Sequence, residues 1–174
     1  RMHAQSPPKR IADDGSIHSI DPRSWEVLAT FPALPPDAVP TALVEARSAQ
    51  VEWARLPLAE RIQAVGAVLP RIVARAEELA ELIHREHGKS TTEATFSEVM
   101  GAAVVVRMHV KFDRKWLAPE KVAIDPLSYP GKKARVESVP RGVIAVIMPW
   151  NYPLALPMRT IVPALIAGNA VAFK

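Results

Sequence analysis

The sequence of 174 residues contains no cysteine, and this absence restricts the chemistry that these residues can perform. Disulfides, zinc sites built on thiolates and a cysteine nucleophile are all excluded within them. No run of about 18 apolar residues occurs either, so the sequence predicts no transmembrane helix and no membrane partner. Apolar residues make up 49% of the chain and charged residues 23%, which predicts a folded core rather than disorder.

Several common active-site motifs are also missing. There is no G-x-G-x-x-G loop and no G-x-x-x-x-G-K-[ST] loop for phosphate, and no serine stands in a G-x-S-x-G context. The five histidines are scattered along the chain. His84 and His87 stand three residues apart near a predicted helix end, but no third ligand accompanies them, so no metal site is predicted.

Acidic residues are absent from residues 138–174, although the net charge of the whole chain is only +4. That surplus requires no polyanionic partner. A second basic region is carried by Arg107, Lys111, Arg114, Lys115 and Lys121. No nucleic-acid-binding motif accompanies these residues, so we expect a solvated helix surface and no nucleic-acid partner.

The first half of the chain changes from proline-rich to helical. Six prolines within residues 1–36 predict an extended arm with two short strands, at 17–20 and 25–28. A helix is predicted over 37–56. Apolar residues then recur three and four apart over 58–83, which predicts a buried helical face that Pro70 breaks or kinks.

The end of that helical region carries clear stop and start signals. Gly88 predicts a helix stop after His87, and Ser90 with Glu93 has the spacing of a capping box that begins another helix. Prolines and a glycine then punctuate residues 119–140. Within them, residues 133–139 alternate in polarity and predict an exposed edge strand with a specific partner.

Residues 142–174 predict a β-α-β unit. Residues 142–148 form a β-branched apolar run, which is typical of a strand buried on both faces of a parallel sheet. A turn at 149–153, a helix over 154–167 kinked at Pro163, and a second strand over 170–174 complete the unit. Since the chain begins with Arg and stops on this second strand, we expect it to be part of a longer protein.

Ligands of open α/β sheets bind outside the carboxyl ends of the strands, here residues 148–151 and Lys174. Asn151 is predicted either to cap or turn the chain, or to direct its amide at an oxyanion. Trp150 either lines a pocket or fills the core. Lys174 either binds phosphate or sugar hydroxyls or marks where the strand reaches solvent, and Arg159 either binds a substrate carboxylate or forms a surface ion pair.

Two segments together carry a resemblance to a known family. VPRGVIAVIMPWNYP (residues 139–153) followed by PALIAGNAVAFK (163–174) resembles the signature of the aldehyde dehydrogenase superfamily, and EHGK (86–89) is similar to its E-x-G-K helix end. The resemblance covers about residues 20–174 and corresponds to the N-terminal part of the family's chain.

This resemblance implies an α/β fold, the N-terminal part of a variant Rossmann domain with leading helices and an oligomerisation hairpin strand. The expected division is an arm at 1–36, the helical part of the coenzyme-binding domain at 37–120, the hairpin at 121–140, and an incomplete first β-α-β unit at 141–174. Because the family's Rossmann domain lacks the glycine fingerprint, the missing G-x-G-x-x-G is consistent with it.

The resemblance also implies the chemistry. Relatives oxidise aldehydes to acids with NAD or NADP through a cysteine thiohemiacetal, whose oxyanion Asn151 would bind. Arg159 matches a position facing the substrate tunnel, which hints at a semialdehyde acid. The implied cofactor-binding residues are Ile147, Met148, Pro149, Trp150 and Lys174.

The family's nucleophilic cysteine and glutamate base fall beyond Lys174, so this segment alone is predicted to be inactive. The whole enzyme is expected to be cytoplasmic and a homodimer or homotetramer. The alternative is a non-catalytic truncated fragment that acts through protein–protein contact.

Overall fold

The structure is a computed structural model that describes residues 8–174, so the first seven residues of the predicted arm lie outside it. Its strands and helices follow one another along the chain as β1 (Ile17–Ile20), β2 (Val27–Phe31), α1 (Val39–Arg55), α2 (Leu58–Gly66), α3 (Val68–Ala74), α4 (Ala76–His87), α5 (Thr91–Glu93), a π-helical stretch (Ala94–Met100), α6 (Gly101–Trp116), β3 (Glu120–Val122), β4 (Ala134–Val136), β5 (Val143–Val146), α7 (Ala155–Ile166) and β6 (Ala170–Phe173). A short 3-10 turn, Pro36–Ala38, precedes α1.

The N-terminal strands β1 and β2 pair antiparallel as a hairpin. The predicted strand at 17–20 is confirmed, whereas the second strand begins at Val27 rather than at residue 25. The reason is the turn between them, where Trp25 has a φ of 62° and is therefore not extended. Ser19 Oγ donates a hydrogen bond of 2.6 Å to Glu86 Oε1, which ties the hairpin to α4.

The predicted apolar stripe over 58–83 is divided into three helices rather than two. The first break, at Ala67, lies three residues before Pro70, because the proline ring conflicts with the carbonyl of the residue four positions earlier. Pro70 thus sits in the first turn of α3. A second break at Arg75, with φ −110° and ψ 20°, was not predicted. The stripe itself is confirmed by its buried members, Ile62, Ile72, Ala80 and Ile83.

The stop and start signals between α4 and α5 are both confirmed. Gly88 adopts the left-handed conformation with φ 72° and ends α4. Ser90 Oγ accepts a hydrogen bond of 3.1 Å from the Glu93 N–H, as the capping box requires. The helical segment that begins there continues through the π-helical stretch to Trp116 and supplies the largest share of the core, namely Ala94, Val99, Ala102, Val105 and Val106.

The predicted parallel pair is confirmed, with β5 and β6 in register from Val143 opposite Ala170 to Val146 opposite Phe173. The expectation that β5 is buried on both faces is wrong, because Ala145 is exposed. Among residues 8–174, each of the two strands is paired on one side only, so backbone groups at both sheet edges lack a strand partner, and some side chains on the sheet are also exposed. Phe173, for instance, is 57% exposed.

The carboxyl-terminal end of α7 is held by side chains from α1 and α2. Gln50 Nε2 donates to the Gly168 carbonyl at 2.8 Å, and Trp53 Nε1 donates to the Leu165 carbonyl at 2.7 Å. Arg61 Nε donates to the Ile166 carbonyl at 2.9 Å. Burial lowers the pKa of the Arg61 guanidinium from its ordinary value. These donors satisfy carbonyls that a helix end leaves unpaired, and the cation suits the negative end of the helix dipole.

The second hairpin, β3 with β4, projects apolar side chains into solvent. Its strands pair antiparallel, and β4 is shorter than the strand predicted over 133–139. Val122 is 43% exposed and Val136 is 61% exposed. Over residues 8–174, none of the helices has the length and apolarity that crossing a bilayer requires.

Candidate functional site

The carboxyl ends of β5 and β6 come together at one edge of the sheet. The Lys174 N–H donates to the Val146 carbonyl at 2.8 Å, and the Met148 N–H donates to the Lys174 carbonyl at 3.1 Å. Two candidate segments that are 26 positions apart in the sequence are therefore joined by backbone hydrogen bonds. This is the edge at which open α/β sheets bind ligands.

The candidate cofactor-binding residues present an exposed surface at this edge. Ile147 is 75% exposed and Trp150 is 80% exposed. Pro149 and Lys174 are also exposed, and Met148 is half-buried. The indole of Trp150 therefore lies outside the core formed by residues 8–174. An ammonium group beside exposed apolar side chains is able to contact both the polar and the flat aromatic parts of a nucleotide.

Asn151 lies in the turn between β5 and α7 with its side chain exposed. It does not cap α7, because the helix begins at Ala155 and the cap residue is Leu154. Within the described range 8–174, no partner donates to or accepts from the Asn151 side chain. The capping alternative therefore does not account for Asn151, and its amide is available to a ligand.

Arg159 lies on the second turn of α7 and is exposed. The ion pairs found among residues 8–174 do not include it, so the predicted alternative of a surface ion pair is not met. Its guanidinium is thus able to accept a carboxylate from outside the chain.

Directly beneath the Asn151 turn lies a buried carboxylate that sequence reasoning missed. Glu98, in the π-helical stretch, is 0% exposed. Its Oε2 accepts hydrogen bonds from the backbone N–H groups of Leu154 (3.1 Å) and Ala155 (2.9 Å) at the start of α7. Its Oε1 pairs with Lys89 Nζ at 2.5 Å. The available signal was spacing, because Glu98 stands four residues from both Ala94 and Ala102 on the buried face.

Of the two histidines of the possible metal pair, His84 is engaged by other groups, whereas His87 Nδ1 is buried without a hydrogen-bond partner among residues 8–174. His84 Nδ1 lies 2.5 Å from the Lys89 carbonyl, and its Nε2 lies 2.8 Å from an Arg23 guanidinium nitrogen. Because arginine only donates, Nε2 accepts and Nδ1 carries the proton. The described part of the chain contains no group of three or more side chains able to hold a metal ion.

Comparison with known proteins places this geometry in a family. Residues 10–174 match the family model described as "Aldehyde dehydrogenase family". N-succinylglutamate 5-semialdehyde dehydrogenase 1 of Caulobacter vibrioides is 39% identical over 157 residues, which are 90% of this chain and 32% of that protein.

Two solved structures give the same result. The NAD-dependent benzaldehyde dehydrogenase of Corynebacterium glutamicum superposes with a TM-score of 0.82 at 32% identity, over 92% of this chain and 34% of that one. The NADP-dependent glyceraldehyde-3-phosphate dehydrogenase of Bacillus halodurans, complexed with NADP, superposes with a TM-score of 0.83 at 33% identity, over 91% of this chain and 33% of that one. The chain spans about a third of the length of the curated relatives that it matches, with shares of 30%, 32% and 31% for the first three.

Proposed function

The chain belongs to the aldehyde dehydrogenase family, and on that premise we propose that it forms the N-terminal part of an enzyme that oxidises an aldehyde to a carboxylic acid with NAD or NADP. The observation that carries the proposal is the position of Asn151 beside the carboxyl ends of β5 and β6, which backbone hydrogen bonds join. Its side-chain amide is exposed and does not cap α7. The cysteine nucleophile and the glutamate base that the reaction needs would be supplied by residues outside this segment.

Asn151 is proposed to donate its side-chain N–H to the oxyanion that forms when a cysteine thiolate attacks the aldehyde carbon. The position suits this role, because the amide follows a strand end and is not engaged by the described part of the chain. A donor held where negative charge develops lowers the barrier without having to reorganise. Residues 138–174 contribute no side-chain carboxylate that would oppose the developing charge, and the charge of Glu98, beneath the turn, is paired with Lys89.

The cofactor is proposed to lie across the same edge. When bound there, NAD or NADP supplies the hydride acceptor. The Lys174 ammonium is placed to hold ribose hydroxyls or a 2′-phosphate, and residues 147–150 provide exposed apolar surface for the rings. Similar solved structures support either cofactor, since one of these proteins is NAD-dependent and another is complexed with NADP.

The substrate is proposed to be an aldehyde that carries a carboxylate, with Arg159 as its anion-binding residue. The exposed guanidinium lacks an ion-pair partner within residues 8–174 and is matched to a planar carboxylate. The Caulobacter vibrioides relative is named for a semialdehyde, which supports this choice.

The remaining architecture is proposed on the same basis. Residues 37–120 and 141–174 would belong to the coenzyme-binding domain, and residues 121–140 would join subunits of a cytoplasmic homodimer or homotetramer. The segment by itself is expected to be inactive, because it contains no cysteine to attack the aldehyde.

The proposed function is tested by Asn151→Ala in the complete protein. Loss of one oxyanion donor should lower kcat by about 100- to 1000-fold, while the Kd for the cofactor stays within about twofold of wild type. Turnover and cofactor binding are measured separately, by steady-state kinetics and by calorimetry. Unchanged turnover in the variant would contradict the oxyanion role.

A second variant tests the substrate class. Arg159→Leu should raise the apparent KM for semialdehyde acids by about tenfold or more and leave that for neutral aldehydes nearly unchanged, because only the former lose an ion pair. An equal rise for both kinds of aldehyde would remove the carboxylate role from Arg159.

A further inference from the structure

The Asn151 turn is tied down on its helix side by a buried acid. Both hydrogen bonds from the start of α7 converge on one oxygen of Glu98, at 3.1 Å from Leu154 N and 2.9 Å from Ala155 N. Leu154 itself offers no side-chain cap to the helix. The Glu98 carboxylate therefore serves as the cap from a distant element, and it lies at the positive end of the α7 dipole.

A second tie acts on the neighbour of Asn151. Lys89 Nζ stands 3.9 Å from the centroid of the Tyr152 ring and 2.5 Å from Glu98 Oε1. The Lys89 side chain is 13% exposed, so its charge is compensated mainly by Glu98 and by the ring face. The lysine thus couples the residue directly after Asn151 to the same carboxylate that caps α7.

Neither group is free to act in the chemistry itself. Glu98 is fully buried and both of its oxygens have partners, and Lys89 is occupied by the carboxylate and the ring. Stability alone also does not call for a buried ion pair, because apolar residues of similar volume commonly stabilise a core as well or better. What this pair supplies that an apolar pair would not is a fixed position for Tyr152 and for the start of α7, which directly follow Asn151 in the chain.

We propose that Glu98 and Lys89 are positioning residues that fix the Asn151 turn in the geometry required for oxyanion binding. The role rests on the proposed function, since it is for that reaction that the amide of Asn151 must be held in place. Glu98 acts through the backbone of Leu154 and Ala155, and Lys89 acts through the ring of Tyr152.

Hydrogen exchange on the complete protein tests the anchoring without reference to activity. Glu98→Gln keeps the size of the side chain but removes the negative charge that strengthens the two backbone hydrogen bonds and neutralises Lys89. Exchange of the Leu154 and Ala155 amides should accelerate by about 10- to 100-fold, the effect of losing a charge-assisted hydrogen bond. The control is Glu78→Gln, which removes a carboxylate from an exposed pair with Arg75 and should leave these amides unchanged.

Kinetics of the same proteins test the consequence for the reaction. Glu98→Gln and Lys89→Met should lower kcat by about tenfold or more with KM little changed, whereas Lys89→Arg should recover most of the turnover. Tyr152→Leu, which leaves the buried pair intact, should lower kcat in the same direction. These variants keep their cofactor affinity if the defect lies in the position of Asn151.

The outcomes separate the two proposals. Unchanged exchange at Leu154 and Ala155 in Glu98→Gln would overturn the anchoring, as would a loss of turnover that Lys89→Arg fails to recover. Faster exchange at these amides together with normal turnover in Asn151→Ala would support the anchoring and overturn the proposed role of Asn151 instead.

Discussion

Asn151 and Asn169 are the two asparagines of the chain, and the structure gives them opposite surroundings. Asn169 is 7% exposed, its Oδ1 accepts the Gly142 N–H at 3.0 Å, and its Nδ2 donates to the Ala164 carbonyl at 3.1 Å. It thereby joins the starts of β5 and β6. Asn151 is exposed and is engaged by no described residue. One asparagine joins the two strands, whereas the other makes no side-chain hydrogen bond within residues 8–174.

This contrast predicts that replacing the two asparagines by alanine changes the free energy of unfolding by different amounts. Asn169→Ala should lower the free energy of unfolding by about 1–3 kcal/mol, because the Gly142 N–H is left buried without an acceptor. Asn151→Ala should change it by less than about 0.5 kcal/mol. Urea unfolding of the two variants measures both values, and equal destabilisation by both would contradict the assignment.

The stability of the turn at the tip of the first hairpin depends on pH through the carboxyl group of Asp21. Hydrogen bonds from the Arg23 side chain, then from the Arg23 and Ser24 backbone, lower the pKa of Asp21 from 3.8 to about 2. Because the folded pKa lies below the unfolded value, the stabilisation is fully present above about pH 4 and is lost as the pH falls through about 2. Side-chain NMR of Asp21 should therefore titrate near pH 2.

Matched variants check the cause of that titration. Asp21→Asn should abolish the change in the Arg23 and Ser24 amide shifts over this range, while Asp13→Asn, in an exposed pair with Lys9, should preserve it. Titration of Asp21 near pH 4 would mean that these hydrogen bonds do not hold the turn.

At the residue scale, conformations that depend on neighbouring residues were predicted correctly. The role of a residue that contacts a distant element was not predicted. The left-handed Gly88 and the cap at Ser90 follow from neighbouring residues, and both are observed. The role of Glu98 depends on α7, which begins 57 positions later in the chain than the acid that caps it. Nothing local in the sequence states which helix end a buried carboxylate will meet.

At the scale of elements, the order of helices and strands follows from periodicity, whereas their lengths depend on tertiary contacts. The break at Ala67 is a consequence of Pro70 and was predictable, while the break at Arg75 has no such residue to mark it. The strand predicted over 133–139 shortens to β4 because its partner β3 offers only three residues to pair. The register of a strand pair cannot be predicted from the sequence of either strand alone.

The cap at Ser90 sets the start of the helical segment that carries Glu98. Ser90→Ala should lower the free energy of unfolding by about 1 kcal/mol, because the Glu93 N–H loses its acceptor. Ser48→Ala is the control, since Ser48 lies within α1 and its hydroxyl donates only to the Val44 carbonyl of its own helix. The same unfolding midpoint for Ser90→Ala and Ser48→Ala would mean that the Ser90 cap does not stabilise the fold.

At the scale of the whole molecule, exposed apolar side chains occur on the hairpin where subunits are proposed to meet. Val136 on β4 is 61% exposed at the edge of a two-stranded hairpin, which is the kind of edge that pairs with another chain. A charge placed there should disturb assembly and leave the fold intact.

We expect Val136→Asp to weaken association of the complete protein by about tenfold or more, because a carboxylate would be buried at the contact. Analytical ultracentrifugation measures the effect. Val44→Asp, at a residue 66% exposed on α1, is the matched control and should leave the association unchanged. If Val136→Asp associates as tightly as the control, the hairpin is not the subunit contact.

Aldehyde-dependent formation of NADH or NADPH decides whether this chain is part of an NAD(P)-dependent aldehyde dehydrogenase. The complete protein and residues 1–174 alone are assayed side by side with a neutral aldehyde and a semialdehyde acid. We expect reduced cofactor from the complete protein and none from residues 1–174. A complete protein that folds, binds neither cofactor and forms neither product would contradict it and favour a non-catalytic role in protein–protein contact.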